Sequence, residues 1–186
     1  MRIAPTLFAA ALLAAVTVGA GLQSAAAPPV APPAAPPLGA FHFTIEVPIA
    51  GPPAAVFDDF VGDVSSWWDH HLSPQPVKLE IEPRVGGAFR EVFDAAGNGC
   101  EHARVTLFDR GKALRLDGPL GLAGNAVQLV STLEFVPGEP GHTTLRLTCE
   151  AAGHVEPGWN QAVEAVWRHF LEEQFKPHYE GGAAGR

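Results

Sequence analysis

The chain has 186 residues, 47% of them hydrophobic, and a formal net charge of −8, which suits one domain around one core. Loss of Arg2 with an N-terminal leader takes the charge to −9, and no Lys/Arg cluster remains. That argues against nucleic acid and against anionic lipid surfaces as partners.

In chain order, Arg2 precedes an uncharged, Ala-rich apolar run from Ile3 to Leu22 and then "QSAAAPP". This is the pattern of a secretory signal peptide over residues 1–26, cleaved after Ala26; an uncleaved N-terminal anchor is the alternative. The only cysteines, Cys100 and Cys149, lie far from that point, so a lipoprotein anchor is not expected. No later segment reaches the roughly 18 apolar residues of a membrane span. The expectation is an exported protein, periplasmic or secreted, with no stable membrane insertion after cleavage. Residues 27–39 hold repeated Ala-Pro-Pro, which fixes φ and removes amide donors. They read as an extended tether, with a peptide-recognition tract as the alternative.

The domain proper is expected over residues 40–180. Phe41, Phe43, Ile45 and Val47 alternate with His42, Thr44 and Glu46, the period of a strand with one buried face. "AGPP" breaks it and places proline at a helix start, so Pro53 to Phe60 reads as a short helix with Val56, Phe57 and Phe60 inward. A second short helical turn is predicted to carry "SSWWDHHLSP". Six strand candidates follow, at Val77–Pro83, Gly87–Phe93, Cys100–Phe108, Lys112–Gly118, Asn125–Pro137 and His142–Gly153, separated by Gly, Pro, Asn and Asp. With the first strand they make a seven-stranded antiparallel meander of the α+β class. A long helix from about Pro157 to Phe175 closes the domain, its Trp159, Val163, Val166, Trp167, Phe170, Leu171 and Phe175 forming one apolar stripe. Pro177 is expected to stop it, leaving residues 181–186 as a flexible tail.

Chemical motifs are sparse. His70 and His71 are neighbours and so point about 100° apart on a helix. The chain holds no HExxH and no CxxC, and no metal site is expected from its spacing, although Asp69 with distant residues such as His154 leaves one conceivable. There is no GxSxG, and Ser65, Ser66 and Ser73 sit where capping is the ordinary role. "GPLGLAG" joins two strands instead of opening a helix, so it reads as a pocket-mouth loop and not as a phosphate cradle. Glu91, Glu101, His102, Glu134 and Glu150 stand in strands where alternation can aim some of them inward for acid/base work. Cys100 and Cys149 form a disulfide or stay as two separate thiols.

The order of elements, with "SSWW", "PRVGGAFRE" (Pro83–Glu91), "ARVTLFDRGKALRLDGPLG" (Ala103–Gly121), "TTLRLTCEAAG" (Thr143–Gly153) and "GW" at Gly158, resembles the SRPBCC (START-like, helix-grip) superfamily. Within it the text is similar to the bacterial branch related to the C-terminal domain of the Hsp90 ATPase activator. The resemblance covers about Phe41 to Glu180. It implies a curved seven-stranded sheet gripping the C-terminal helix, two short helices after the first strand, and a cavity for a hydrophobic small molecule. It also implies that the strands of Cys100 and Cys149 are not neighbours. An exported chain lacking the activator's additional chaperone-binding domain would not serve as a co-chaperone. Expected cavity residues are Trp67, Trp68, Phe89, Phe93, Leu116, Trp159, Val163, Trp167 and Phe170, with no cofactor. The leading expectation is a non-catalytic binder of a hydrophobic or amphipathic small molecule. The alternatives are a cyclase- or hydrolase-like enzyme using a cavity carboxylate or histidine, and an envelope interaction module with a solid core.

Overall fold

The computed structural model describes residues 38–183. The expected signal peptide, the proline tract up to Pro37 and the last residues of the tail lie outside them. The strands are β1 (Leu38–Ala50), β2 (Gly62–Asp63), β3 (Lys78–Ile81), β4 (Ala88–Val92), β5 (Gly99–Asp109), β6 (Ala113–Asp117), β7 (Val127–Pro137) and β8 (His142–His154). They form one antiparallel sheet in the order β1-β8-β7-β6-β5-β4-β3-β2. The strand beyond the predicted seven is β2, whose two residues pair with Ile81 and Glu80 and are too few to show a period. β1 also starts inside the expected tether, because Leu38 and Gly39 pair with His154 and Gly153.

Alternation fixes which face is buried. Phe43, Ile45, Val47 and Ile49 of β1 and Leu145, Leu147 and Cys149 of β8 point into the core, and the residues between them face out. β8 lies between β1 and β7, separated from β5 by β7 and β6, and both cysteines are free thiols.

The helix α1 (Pro53–Phe60) forms as predicted, with Pro53 at its first position and Val56, Phe57 and Phe60 buried. The second predicted helix is a single turn, closed by the N–H groups of Trp67 and Trp68 on the carbonyl of Val64, at 3.2 and 2.9 Å. The segment that follows is tied to the sheet instead of to a further helical turn. Leu72 and Ser73 donate to the carboxylate of Glu91 at 2.9 and 2.7 Å, and Pro74 and Pro76 have no N–H to give.

The C-terminal helix does not end before Pro177. α2 (Trp159–Arg168) passes into a π-helical stretch (His169–Phe175) and then into α3 (Lys176–Ala183). At their junction the Lys176 N–H reaches the carbonyl of Leu171, five residues back. Pro177 thus falls in the first turn of α3, the part of a helix that tolerates its missing donor. The wider turn also brings Phe170, Leu171 and Phe175 onto the sheet side together. No helix among the described residues is long and apolar enough to cross a membrane.

Candidate ligand cavity

A cavity of about 350 Å³ opens between the sheet and α2. Val163, Val166, Trp167 and Phe170 supply the helical wall, Leu129 of β7 the sheet wall, and Trp68 one side. Trp68 is held by a stacked contact with Phe170, centroids 3.9 Å apart, and by the edge of Phe89 at 4.7 Å. Opposite them stands the β6–β7 connection, with Pro119, Leu120, Gly121 and Leu122. Its entry is pinned by Gly118, at φ 158°, where a Cβ would lie 2.5 Å from the Cα of Ala103. Leu120 is held at φ 49°, the only non-glycine residue with positive φ among those described. A leucine there is strained by roughly 1–3 kcal/mol, and such strain gathers at ligand clamps.

The polar end of the cavity arises from a β-bulge. In the β4–β5 ladder Arg90 faces Glu101 and Phe89 faces Ala103, so His102 has no partner of its own. The extra residue resets the alternation, and both His102 and Ala103 turn inward. His102, 8% exposed, reaches the cavity. Glu91, 1% exposed, lies 3.0 Å from His102 Nε2, and Cys100 Sγ is 3.6 Å from the same nitrogen. Burial pushes the Glu91 carboxyl upward, but the amides of Leu72 and Ser73 and the imidazole outweigh it and hold it below the ordinary glutamate range. Burial and the charge of Glu91 push the Cys100 thiol up.

A second polar group sits at the mouth. Asp69 accepts from His169 Nε2 at 2.7 Å and contacts His70 Nδ1 at 2.8 Å, while His169 Nδ1 meets Glu173 at 3.0 Å. The bonds to Asp69 and then Glu173 raise the His169 pKa. Burial works against the Asp69 carboxylate, yet its bonds to His169 and His70 bring its pKa below the ordinary value. His71 donates from Nδ1 to the carbonyl of Ser73 at 2.6 Å, and both His70 and His71 line the cavity.

Of the residues expected at the cavity, Trp68, Val163, Trp167 and Phe170 are in its walls. Trp67 turns the other way, packing on Phe60 at 5.2 Å and Phe175 at 5.0 Å. Phe89 is buried behind Trp68, and Leu116 is a core residue of β6. Phe93 lies past the end of β4 in the hairpin, and Trp159 begins α2, about one turn before Val163; both are half-buried away from the walls. The sequence reading took the loop that holds Leu120 and Leu122 as a pocket mouth without singling out either leucine, and it missed Leu129 and the grouping of Glu91, Cys100 and His102. The last had a signal, because "CEH" places a thiol and an imidazole at i, i+2 on one strand face.

No family model matches the chain, and no curated protein matches it. Solved structures do. A protein of unknown function from Staphylococcus aureus aligns with a TM-score of 0.61 at 13% identity, over 80% of this chain and 98% of that one. A protein from Chromobacterium violaceum aligns at 0.54 and 20%, covering 75% and 96%, and one from Rhodobacter sphaeroides at 0.54 and 20%, covering 78% and 93%. Identities this low speak to architecture alone, and together with the strand order and the gripped helix they identify the fold as the helix-grip fold.

Proposed function

We propose that the chain is an exported helix-grip domain that takes a hydrophobic or amphipathic small molecule into the cavity between sheet and α2. The observation that carries this reading is an apolar, aromatic-walled cavity of about 350 Å³ with the imidazoles of His70, His71 and His102 in its lining. That is the ordinary make-up of a small-molecule site, with walls for affinity and a few polar groups for orientation. Within the superfamily, the quoted text from Pro83 to Gly153 favours the branch similar to the Hsp90 activator's C-terminal domain. We carry over that kinship without a co-chaperone role. Native mass spectrometry of protein purified from its own host, followed by a lipid and aromatic ligand screen, tests the proposal. A bound species is expected, and Val163→Trp, which fills the cavity, should weaken its binding at least about tenfold, or ~1.4 kcal/mol. Finding no bound species, or equal affinity in the filled variant, overturns the proposal.

One observation favours a second reading, catalysis of the cyclase or hydrolase kind. His102 reaches the cavity with a buried carboxylate 3.0 Å behind it, the arrangement of an oriented general base. A ligand that is chemically converted by the protein, but not by His102→Gln, supports it; a ligand recovered unchanged removes it.

A further inference from the structure

The side chains of Glu91, Cys100 and His102 are brought together by the fold, and only the i, i+2 step from Cys100 to His102 shows in the linear spacing. Glu91 and Cys100 are cross-strand partners in the β4–β5 ladder, and His102 follows two residues later, turned inward at the bulge. One ligand atom from each lies within 4.8 Å of the others, with Glu91 Oε2 to His102 Nε2 at 3.0 Å and His102 Nε2 to Cys100 Sγ at 3.6 Å. A tetrahedral zinc ion with ordinary bond lengths holds its ligand atoms about 3.3–3.7 Å apart. Binding therefore needs only small side-chain shifts.

From this geometry we propose a zinc-type metal site formed by Glu91, Cys100 and His102 at the polar end of the cavity, where His102 is the ligand in the cavity lining, with one coordination position left open. The chemistry agrees with the distances. A carboxylate and a metal-bound thiolate together carry −2 and the coordinated imidazole is neutral, so a divalent cation leaves this pocket uncharged, where the protein alone holds the Glu91 carboxylate with the amides of Leu72 and Ser73 and the His102 ring. A mixed S, N, O set selects zinc-like ions over magnesium or calcium. The support behind the ligands is already in place. The amides of Leu72 and Ser73 fix both carboxylate oxygens, and the ring of Phe89, 5.2 Å from that of His102, closes an apolar side. Three protein ligands with one position open is the pattern of a site where the metal meets a small molecule, not of a purely structural one.

This site goes beyond the ligand proposal and is read separately from it, because the metal gives its own spectrum with no ligand present. The protein is freed of metal with a chelator, desalted and titrated with Co²⁺. The expected result is one equivalent bound, with visible d–d bands of a tetrahedral ion and a near-ultraviolet thiolate-to-cobalt charge-transfer band, both abolished by added Zn²⁺. Cys100→Ser should remove the charge-transfer band, and Glu91→Gln and His102→Gln should each weaken Co²⁺ binding at least tenfold, while His169→Gln changes nothing. The mouth cluster of Asp69, His70 and His169 contains no sulfur, so binding there yields no charge-transfer band and counts against the proposal. So does a band that survives in Cys100→Ser. Absence of the band in the wild-type protein overturns the proposal, whatever the variants do.

Discussion

The two ends of the gripped helix are both aromatic, yet one is solid and the other hollow. At the solid end α1 fills the space between sheet and helix. Phe57 meets Phe135 edge-on at 5.0 Å and Phe108 at 5.2 Å, and Phe60 meets Phe175 at 4.9 Å. Trp67 closes on the same group. At the other end no α-helix stands in the equivalent place among the described residues, only a single 3-10 turn at Leu120–Leu122, and the segment after Trp68 gives the amides of Leu72 and Ser73 to Glu91 instead of to a helical ladder. There Val163 and Val166 are only half-buried, and a bulge turns an imidazole inward. Apolar residues at regular spacing specify burial; whether a second element arrives to meet them decides between core and cavity.

The most direct way to break this contrast is to truncate one residue at each end. Phe175 is fully buried among Phe60, Trp67 and Tyr179, so Phe175→Ala should cost about 3–5 kcal/mol. Val163→Ala removes atoms that already border open space and should cost under about 1 kcal/mol. Urea unfolding of both variants reads the difference. Equal losses would mean that the hollow end is as tightly packed as the solid one.

The same contrast separates what the sequence could disclose from what it could not. Period-two alternation placed β1, turn residues bounded β8, and the i, i+3, i+4 stripe placed the gripped helix, because all these signals are local. Trp67 and Trp68 defeat that logic, since neighbours of one residue type turn to opposite ends of the grip. Their directions follow from a single turn hung on Val64, a detail without periodicity. Pro177 was read as a stop because local rules treat a proline as ending a helix, whereas a π stretch before it lets the helix run on. The polar cluster was hidden for another reason. A bulge changes which residues face inward without changing any residue, and Glu91 joins Cys100 and His102 only through strand pairing.

A smaller effect sharpens the comparison at the hollow end. Glu91 is a buried carboxylate whose folded pKa lies below its unfolded value. Folding therefore favours its anion, and the stability it contributes is complete above an unfolded glutamate's pKa of about 4.3. That contribution is lost as pH falls from there through the lower folded value. Glu91→Gln should cost about 2 kcal/mol at pH 7, since the amides of Leu72 and Ser73 lose a charged acceptor. The variant should also lose less stability than the wild type between pH 5 and 3. Denaturant titrations across that range, run with chelator present, test it; parallel curves would show that the carboxylate is not held by these bonds.

The smallest expected effect concerns the cavity mouth, where Asp69 ties the segment after Trp68 to the π stretch through His169. The raised pKa of His169 and the lowered pKa of Asp69 are two views of one contact and count once. The histidine's share is complete below an unfolded value of about 6.5 and fades as pH rises through the raised folded value; the aspartate's share fades as pH falls below about 3.9. The tie is therefore strongest from roughly pH 4 to 6.5. An exposed pair of this kind is worth less than about 1 kcal/mol, so Asp69→Asn should lower the melting temperature by a few degrees at pH 5.5 and hardly at all at pH 9. Replacing His70 and His71 together with Gln removes two exposed rings, of which His70 also meets the Phe170 ring edge-on at 4.9 Å, and should leave folding intact at both pH values. A large drop in the double variant would place those two imidazoles in the fold's support, whereas a drop confined to Asp69→Asn at low pH leaves the mouth fastened by one titratable contact over an otherwise independent core.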